Sequence, residues 1–249
     1  SSHRSFAIQE RPLVLELVTL PAAFGMRNVS PFCLKAEMLL TSLELPFTIG
    51  IEKDPRKAPK GKLPYLVADG TRIADSELIA EYLEEVTGGR VYGGLTPAQR
   101  ANGVALSRLA EDHLYWLMVA SRWLDDEWWP NVVEGFFGFV PGLLRPLAAG
   151  SARKQVARTY DLQGLGRHTL EEQKGFARRD LDALDAAVPA TGFLLGEAPG
   201  IFDFTVAGMM AGIYDNQPAT WVTQLAQPYG NLHAYTERVQ EAVGVWGRK

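Results

Sequence analysis

The sequence predicts a small α/β domain followed by an all-helical domain of about twice its length. Strand and helix patterns alternate over residues 13–90, in the order β-α-β and then β-β-α. Helical spacing recurs over residues 91–249, where no strand pattern of comparable quality appears. With 249 residues, 47% of them hydrophobic, the chain can bury two cores. We assign one domain to each range and expect residues 1–12 to be a disordered or artificial polar tail.

The first helix is preceded by a short strand and begins with a strong start signal. Leu13–Val18 predicts the strand, and apolar residues from Phe32 to Leu43 then recur along one helix face. Ser30 suits the N-cap position and Pro31 the first helical position. Such a helix directs unpaired N–H groups and the positive end of its dipole at whatever lies in front of Ser30. The sequence therefore predicts an anion site there.

Three further strands complete the predicted sheet. Pro46–Ile51 follows the first helix, so it should lie parallel to the first strand. Leu63–Ala68 and Thr71–Ala74 are joined by Asp69-Gly70, a dipeptide that favours a tight hairpin and hence antiparallel pairing. The next helix begins with Asp75 or Ser76 as its cap and ends near Thr87, before two glycines.

The second domain is predicted from capping boxes and helical periodicity. Thr96–Gln99 opens a long helix that continues to about Glu127, and Thr169–Glu172 opens another that ends at Ala187. The segment Gly135–Pro141 is apolar and rich in glycine, which predicts an irregular loop that covers a site or contacts a partner chain. Further helices are predicted at Ile201–Tyr214, Ala219–Ala226 and Asn231–Val243.

Composition excludes several classes of function. A net charge of −4 gives no electrostatic reason to expect a nucleic-acid partner. One cysteine rules out an internal disulfide, and four scattered histidines predict no metal site. No secretory leader and no apolar run of membrane-spanning length is evident, so we expect a cytoplasmic protein without membrane insertion.

Three motifs together resemble the glutathione S-transferase superfamily: Ser30-Pro31-Phe32-Cys33, the strand start Gly61–Leu66 with its proline, and Asp75-Ser76. Within it, Ser30–Glu37 and Gly164–Glu172 look like the branch that includes the failed axon connections proteins and the metaxins. The resemblance implies a thioredoxin-like domain that binds glutathione, an all-helical second domain and a homodimer.

The resemblance also implies a set of glutathione contacts. Leu63, before Pro64, would offer its backbone N–H and C=O to the peptide, and Pro64 would be cis. Asp75 would pair with the γ-glutamyl ammonium, and Ser76 with the helix start would hold its carboxylate. Both motifs also have plain structural explanations, as a strand edge and a helix cap. For the glycyl carboxylate, Lys60 and Lys62 are equal candidates.

Ser30 is the residue on which the chemistry would depend. A thiol with a pKa near ~8.5 is roughly 3% thiolate at neutral pH, and a hydroxyl donor at a helix N-terminus would raise that fraction. The alternative is that Ser30 only caps the helix. The preceding loop, Leu20–Val29, is long and could displace it, in which case Arg27 or Asn28 is the fallback donor.

Cys33 stands where redox proteins of this fold carry the second cysteine of C-x-x-C, but the first position is Ser30. No internal disulfide can cycle, and we interpret Cys33 as a small core residue. On the long helix, Tyr115, Trp116 and Trp123 could line a pocket for an apolar electrophile or pack the helical core.

These observations favour a glutathione transferase that conjugates the glutathione thiolate, as co-substrate, to an apolar electrophile of unknown identity. One alternative is a transferase-fold binding or scaffolding protein without turnover. Another is a glutathione-dependent thiol oxidoreductase, which the missing first cysteine disfavours.

Overall fold

The structure, a computed structural model, describes residues 13–249, and its first part contains a four-stranded mixed sheet. The predicted tail at 1–12 lies outside the described residues. The strands are β1 (Leu15–Thr19), β2 (Phe47–Ile51), β3 (Tyr65–Ala68) and β4 (Thr71–Ala74). Their order across the sheet is β2-β1-β3-β4, with β1 parallel to β2 and antiparallel to β3. The predicted parallel pair is therefore confirmed.

The β3–β4 hairpin follows from its turn residues. Asp69 and Gly70 have φ values of 46° and 84°, the left-handed backbone that a two-residue hairpin turn of this kind requires. The strands pair antiparallel, with Leu66 opposite Ile73. Two residues were enough to predict this connection.

Ten α-helices lie within residues 13–249. Short 3₁₀ turns occur at Pro55–Lys57 and Leu165–Arg167, and a π turn at Leu109–Leu114 joins the third and fourth helices. Among the same residues, no helix combines the length and apolar character needed to cross a membrane. The helices are α1 (Pro31–Ser42), α2 (Ser76–Val86), α3 (Pro97–Arg108), α4 (Tyr115–Trp123), α5 (Trp129–Phe137), α6 (Arg145–Gln163), α7 (Leu170–Ala187), α8 (Ile201–Tyr214), α9 (Trp221–Ala226) and α10 (Gly230–Val243).

The structure corrects the sequence prediction between residues 124 and 163. The long helix ends at Trp123 rather than near Glu127, and α5 and α6 were not predicted. Residues 135–137 belong to α5, so the irregular loop begins only at Gly138. The sequence concealed α6 because only two of its residues, Ala149 and Tyr160, are buried, which leaves no apolar stripe to recognise.

Helix α8 packs against α1 and fixes its first turn. Its centre is buried on all sides, and Gly208 permits close approach because an added Cβ would lie 3.1 Å from the carbonyl oxygen of Pro31. A buried ion pair adds a second link, since Lys35 Nζ lies 2.8 Å from Glu111 Oε1 in the π turn. The start of α1 is thus held by both halves of the molecule.

Candidate functional site

The sheet topology brings three predicted site segments to one end of the sheet. Tyr65, the first residue of β3, pairs with Val18 near the end of β1 and with Ala74 at the end of β4. The chain leaves β1 toward α1, enters β3 from Leu63-Pro64 and leaves β4 toward α2 at this same end.

An apolar cluster shows that the three segments are neighbours. Cys33 in the first turn of α1 belongs to the same buried cluster as Leu63 and Ala74, with Val18, Ala58 and Tyr65 completing it. The same cluster is therefore bordered by all three predicted site segments: Ser30, Leu63-Pro64 and Asp75-Ser76. The Leu63-Pro64 peptide bond is cis, as the resemblance implied.

Ser30 caps α1 and retains a hydrogen to donate. Its backbone is extended (φ −102°, ψ 119°), its N–H donates to Asn28 Oδ1 at 3.0 Å, and its Oγ accepts from the Cys33 N–H at 3.4 Å. A hydroxyl that accepts with a lone pair still carries its own O–H donor. The side chain is partly exposed, so the cap and an outward hydrogen bond are compatible.

Cys33 is a buried, neutral thiol. Its side chain is fully buried, and burial raises its pKa to about 11, although the Leu20 N–H and the Ser30 hydroxyl, as hydrogen-bond donors to the sulfur, lower it. A thiol that stays protonated at neutral pH is neither a nucleophile nor a strong acceptor. This state agrees with the interpretation of Cys33 as a core residue.

The loop before Ser30 is fixed by contacts with distant parts of the chain. The Arg27 N–H donates to the Gly247 carbonyl at 2.7 Å, and the Gln217 N–H donates to the Phe24 carbonyl at 2.9 Å. Phe24 also packs edge to face on Trp128 at 4.8 Å.

Both fallback donors of this loop are engaged within the protein. Arg27 forms an ion pair with Glu37. The amide of Asn28 is buried, accepts from the Ser30 N–H and donates to the Leu20 carbonyl at 3.2 Å. The Ser30 O–H, in contrast, faces only the Cys33 thiol, a weak acceptor.

Asp75 and Ser76 occupy the start of α2. Asp75 is exposed with φ 88°, a strained conformation for a residue with a side chain, and its Oδ1 accepts from the Glu77 N–H at 2.9 Å. Ser76 is buried as the first residue of the helix. Lys60 and Lys62 are both exposed on the segment before β3, and nothing in their placement favours one.

The three candidate pocket residues fall into two groups. The Tyr115 ring packs edge to face on Phe32 at 5.0 Å and on Trp116 at 5.4 Å, beside the first turn of α1. Trp123 instead stacks on Phe136 of α5 at 5.5 Å. The structure thus places Tyr115 and Trp116 together and separates Trp123 from them.

A cavity of about 650 Å³ lies on the side of Trp123, between the end of α4, α5 and α6. It is lined by residues that include Trp129, Val133, Gly150 and Lys154. Ser30, Leu63 and Asp75 do not line it. Residues 13–249 also contain no group of three or more His, Cys, Asp or Glu side chains placed to hold a metal ion.

Sequence reasoning missed Arg122, which lies beside the loop that leads to Ser30. It is 4% exposed, and its Nη1 donates to the Val29 carbonyl at 3.1 Å. The signal was present in the sequence, because Arg122 is the one charged residue in the apolar stretch Leu114–Leu124. A charge in such a stretch marks a buried ion or a functional group.

Comparisons with known proteins identify the family. A family model described as the glutathione S-transferase N-terminal domain matches residues 31–128. The isoprene-epoxide glutathione S-transferase of Rhodococcus sp. (strain AD45) is 33% identical over 229 residues, which cover 88% of this chain and 94% of that protein. The chain belongs to the glutathione S-transferase family. The predicted family, fold and enzyme class are confirmed.

A second relative of this glutathione S-transferase is the Failed axon connections protein of Drosophila melanogaster, 26% identical over 199 residues. That match covers 75% of this chain but 47% of the fly protein, so the chain spans about half of its length. The branch named from the sequence motifs is therefore also represented among its relatives.

Solved structures agree on the fold. The β-etherase LigF of Sphingobium sp. strain SYK-6 superposes with a TM-score of 0.60 at 18% identity, covering 91% of this chain and 94% of that one. A glutathione S-transferase of Methylobacterium radiotolerans, in complex with glutathione sulfonate, gives 0.61 at 15% identity and covers 95% and 97%.

Proposed function

We propose that this chain binds glutathione at the end of the sheet and conjugates its thiolate to a small apolar electrophile. The observation that carries the proposal is the placement of the Ser30 hydroxyl at the start of α1, around the same apolar cluster as Leu63 and Ala74. A helix N-terminus with a hydroxyl donor suits a sulfur anion. The neighbouring segments supply the groups that recognise the rest of the tripeptide.

The binding contacts are those of the family, carried over residue by residue. Leu63 offers its backbone to the cysteinyl unit, Asp75 pairs with the γ-glutamyl ammonium and Ser76 holds the adjacent carboxylate. The Asp75 Oδ1 is used to cap α2, so Oδ2 is the oxygen left for the ammonium. Either Lys60 or Lys62 pairs with the glycyl carboxylate.

The reaction begins when the bound thiol releases its proton to solvent and the Ser30 O–H donates to the sulfur anion. We take a small epoxide as the electrophile class, because the relative from Rhodococcus is named for isoprene epoxide. The sulfur attacks an epoxide carbon, a C–S bond forms as the C–O bond breaks, and the alkoxide takes a proton from water. Tyr115 and Trp116, beside the first turn of α1, form the apolar wall of this site.

Calorimetric titration with glutathione, followed by conjugation assays on an aryl halide and a small epoxide, tests the proposal. Ser30→Ala should lower kcat about 10- to 150-fold at neutral pH, since a hydrogen bond to a charged group contributes about 1.5–3 kcal/mol. Ser30→Thr should retain most of the rate. Thr169→Ala is the matched control, because it removes the N-cap hydroxyl of α7 at a distance from the site.

Each outcome has a defined meaning. If glutathione does not bind at millimolar concentration, the transferase proposal is refuted. Binding without turnover on either electrophile would instead favour the scaffolding alternative. If the protein reduces disulfides and Cys33→Ser loses this activity, the thiol oxidoreductase hypothesis would be favoured instead.

The proposal also includes a homodimer, as the family resemblance implies, and a cytoplasmic location. Light scattering during size-exclusion chromatography measures the assembly directly. A monomer at micromolar concentration would contradict the homodimer and leave the proposed chemistry unaffected.

A further inference from the structure

Arg122 is a buried cation that holds backbone rather than a counter-ion. Its side chain is 4% exposed, and it donates from Nη1 to the Val29 carbonyl at 3.1 Å and from Nη2 to the Gly212 carbonyl at 2.6 Å. Its Nε is buried without a partner in the described part of the chain. No carboxylate of residues 13–249 lies within ion-pair distance of it.

Such an arrangement is energetically unfavourable in the absence of an anion. Moving an unpaired charge out of water costs several kcal/mol, and two carbonyl dipoles offset only part of that cost. Burial lowers the pKa of Arg122 to about 10, so the group remains charged at neutral pH. A buried cation that contacts two carbonyls and the Phe24 ring, 5.8 Å away, but no counter-ion raises the electrostatic potential around it.

The first bond places this charge beside the helix start. Val29 is the residue before Ser30, so the guanidinium contacts the peptide that enters the N-cap. The second bond ties the same guanidinium to the end of α8, which packs on α1. Arg122 therefore links the loop, α4 and α8 at the point where Ser30 is positioned.

The other titratable groups near the helix start do not supply this positive charge. Cys33 and Tyr115 are neutral at neutral pH, because burial raises the pKa of both. Arg27 is paired with Glu37, whose own pKa burial raises. On α1 itself, Lys35 is neutralised by Glu111, whose Oε1 lies 2.8 Å from its Nζ. Asp75, Lys60 and Lys62 on the neighbouring segments are all exposed to solvent.

We propose that Arg122 is a positioning residue for the transferase reaction: it fixes the Val29 carbonyl ahead of Ser30 and supplies the buried positive charge that favours the glutathione thiolate there. The inference rests on the proposed function and assigns a role to a residue that touches neither substrate. The thiol proton passes to solvent whether or not Arg122 is present. The charge of Arg122 only shifts the equilibrium between thiol and thiolate toward the thiolate.

Two variants, Arg122→Met and Arg122→Lys, distinguish the effect of the positive charge from the effect of the side-chain shape. Arg122→Met should raise the pKa of bound glutathione and lower kcat, measured at saturating glutathione, about tenfold at pH 6.5, with the difference closing as pH rises above the thiol pKa. Arg122→Lys keeps the charge and should restore most of the low-pH rate. Arg238→Met is the matched control, since Arg238 also donates to two backbone carbonyls, those of Gly192 and Pro189, on another face.

The readout does not depend on turnover alone. The ultraviolet absorbance of the thiolate in the binary complex, titrated against pH, measures the same equilibrium, and calorimetry measures glutathione binding separately. Equal thiolate titrations in wild type and Arg122→Met, with both folded by circular dichroism, would overturn the inference while leaving the proposed function intact. If wild type itself fails to bind glutathione, it is the proposed function that fails.

Discussion

The buried pair Lys35–Glu111 should couple the two halves of the molecule strongly. The Nζ–Oε1 distance is 2.8 Å, and the two side chains are 6% and 9% exposed. At an effective dielectric constant of about 20, that separation corresponds to an attraction of about 6 kcal/mol, from which the desolvation of both ions must be subtracted. The cost of desolvation shows in Glu111, whose pKa is raised by burial even beside the ammonium.

Removing one partner leaves the other charge buried and unpaired. Glu111→Gln or Lys35→Met should therefore each lower the free energy of unfolding by about 3–5 kcal/mol. For a chain of this size, that loss corresponds to a fall in Tm of about 6–20 °C. The double variant Lys35→Met/Glu111→Leu should lie close to wild type, because an apolar pair of similar volume needs no compensation.

Urea unfolding, followed by circular dichroism, measures all three variants. Arg108→Gln is the control, because Arg108 forms a pair of similar length, 2.7 Å, with Glu77 in which both side chains are 45% exposed. That exposed pair should contribute less than about 1 kcal/mol. Single variants within 1 kcal/mol of wild type, or a double variant as unstable as the sum of the singles, would refute the reasoning.

Three further predictions concern other sites. Gly103→Ala should destabilise the fold by about 1–3 kcal/mol in urea unfolding, because its Cβ would lie 2.2 Å from the ring of Phe202; an unchanged midpoint would contradict that contact. Cys33, fully buried, should react with Ellman's reagent only after denaturation; rapid native labelling would show the burial to be wrong. The bond from His113 to Asp180 (2.6 Å) raises the His113 pKa, so its stabilisation is full below about pH 6.5 and lost as pH rises above that; the Tm advantage over His113→Gln should shrink from pH 6 to pH 8.

Much of the fold could be predicted because its signals are local. Thr96 and Thr169 form capping boxes with residues three positions away, and α8 begins and ends at the predicted residues. Gly200 lacks a side chain to cap α8, and Asp203 replaces it by accepting from the Gly200 N–H at 2.9 Å. Caps and turns depend on neighbours within a few residues, so the sequence contains the whole interaction.

The errors arose where local signals were absent or ambiguous. Helix α6 has no apolar stripe, so its stability comes from contacts that periodicity does not reveal. Gly135 was predicted to begin an irregular loop, but it lies in α5, where an added Cβ would come within 2.5 Å of the Phe24 ring. Glycine at this position lets α5 pack closely on the loop that contains Phe24. This requirement can be seen only in the packed structure.

The sequence by itself determined the order of elements, the hairpin, the helix start at Ser30 and the motifs that identify the family. The tertiary structure decided which groups meet there. Arg122 contacts backbone 93 and 90 residues away, and Lys35 meets a partner 76 residues away. Burial also decided that Cys33 stays protonated. Charge and protonation depend on what surrounds a group in space, and that environment exists only once distant segments have packed together.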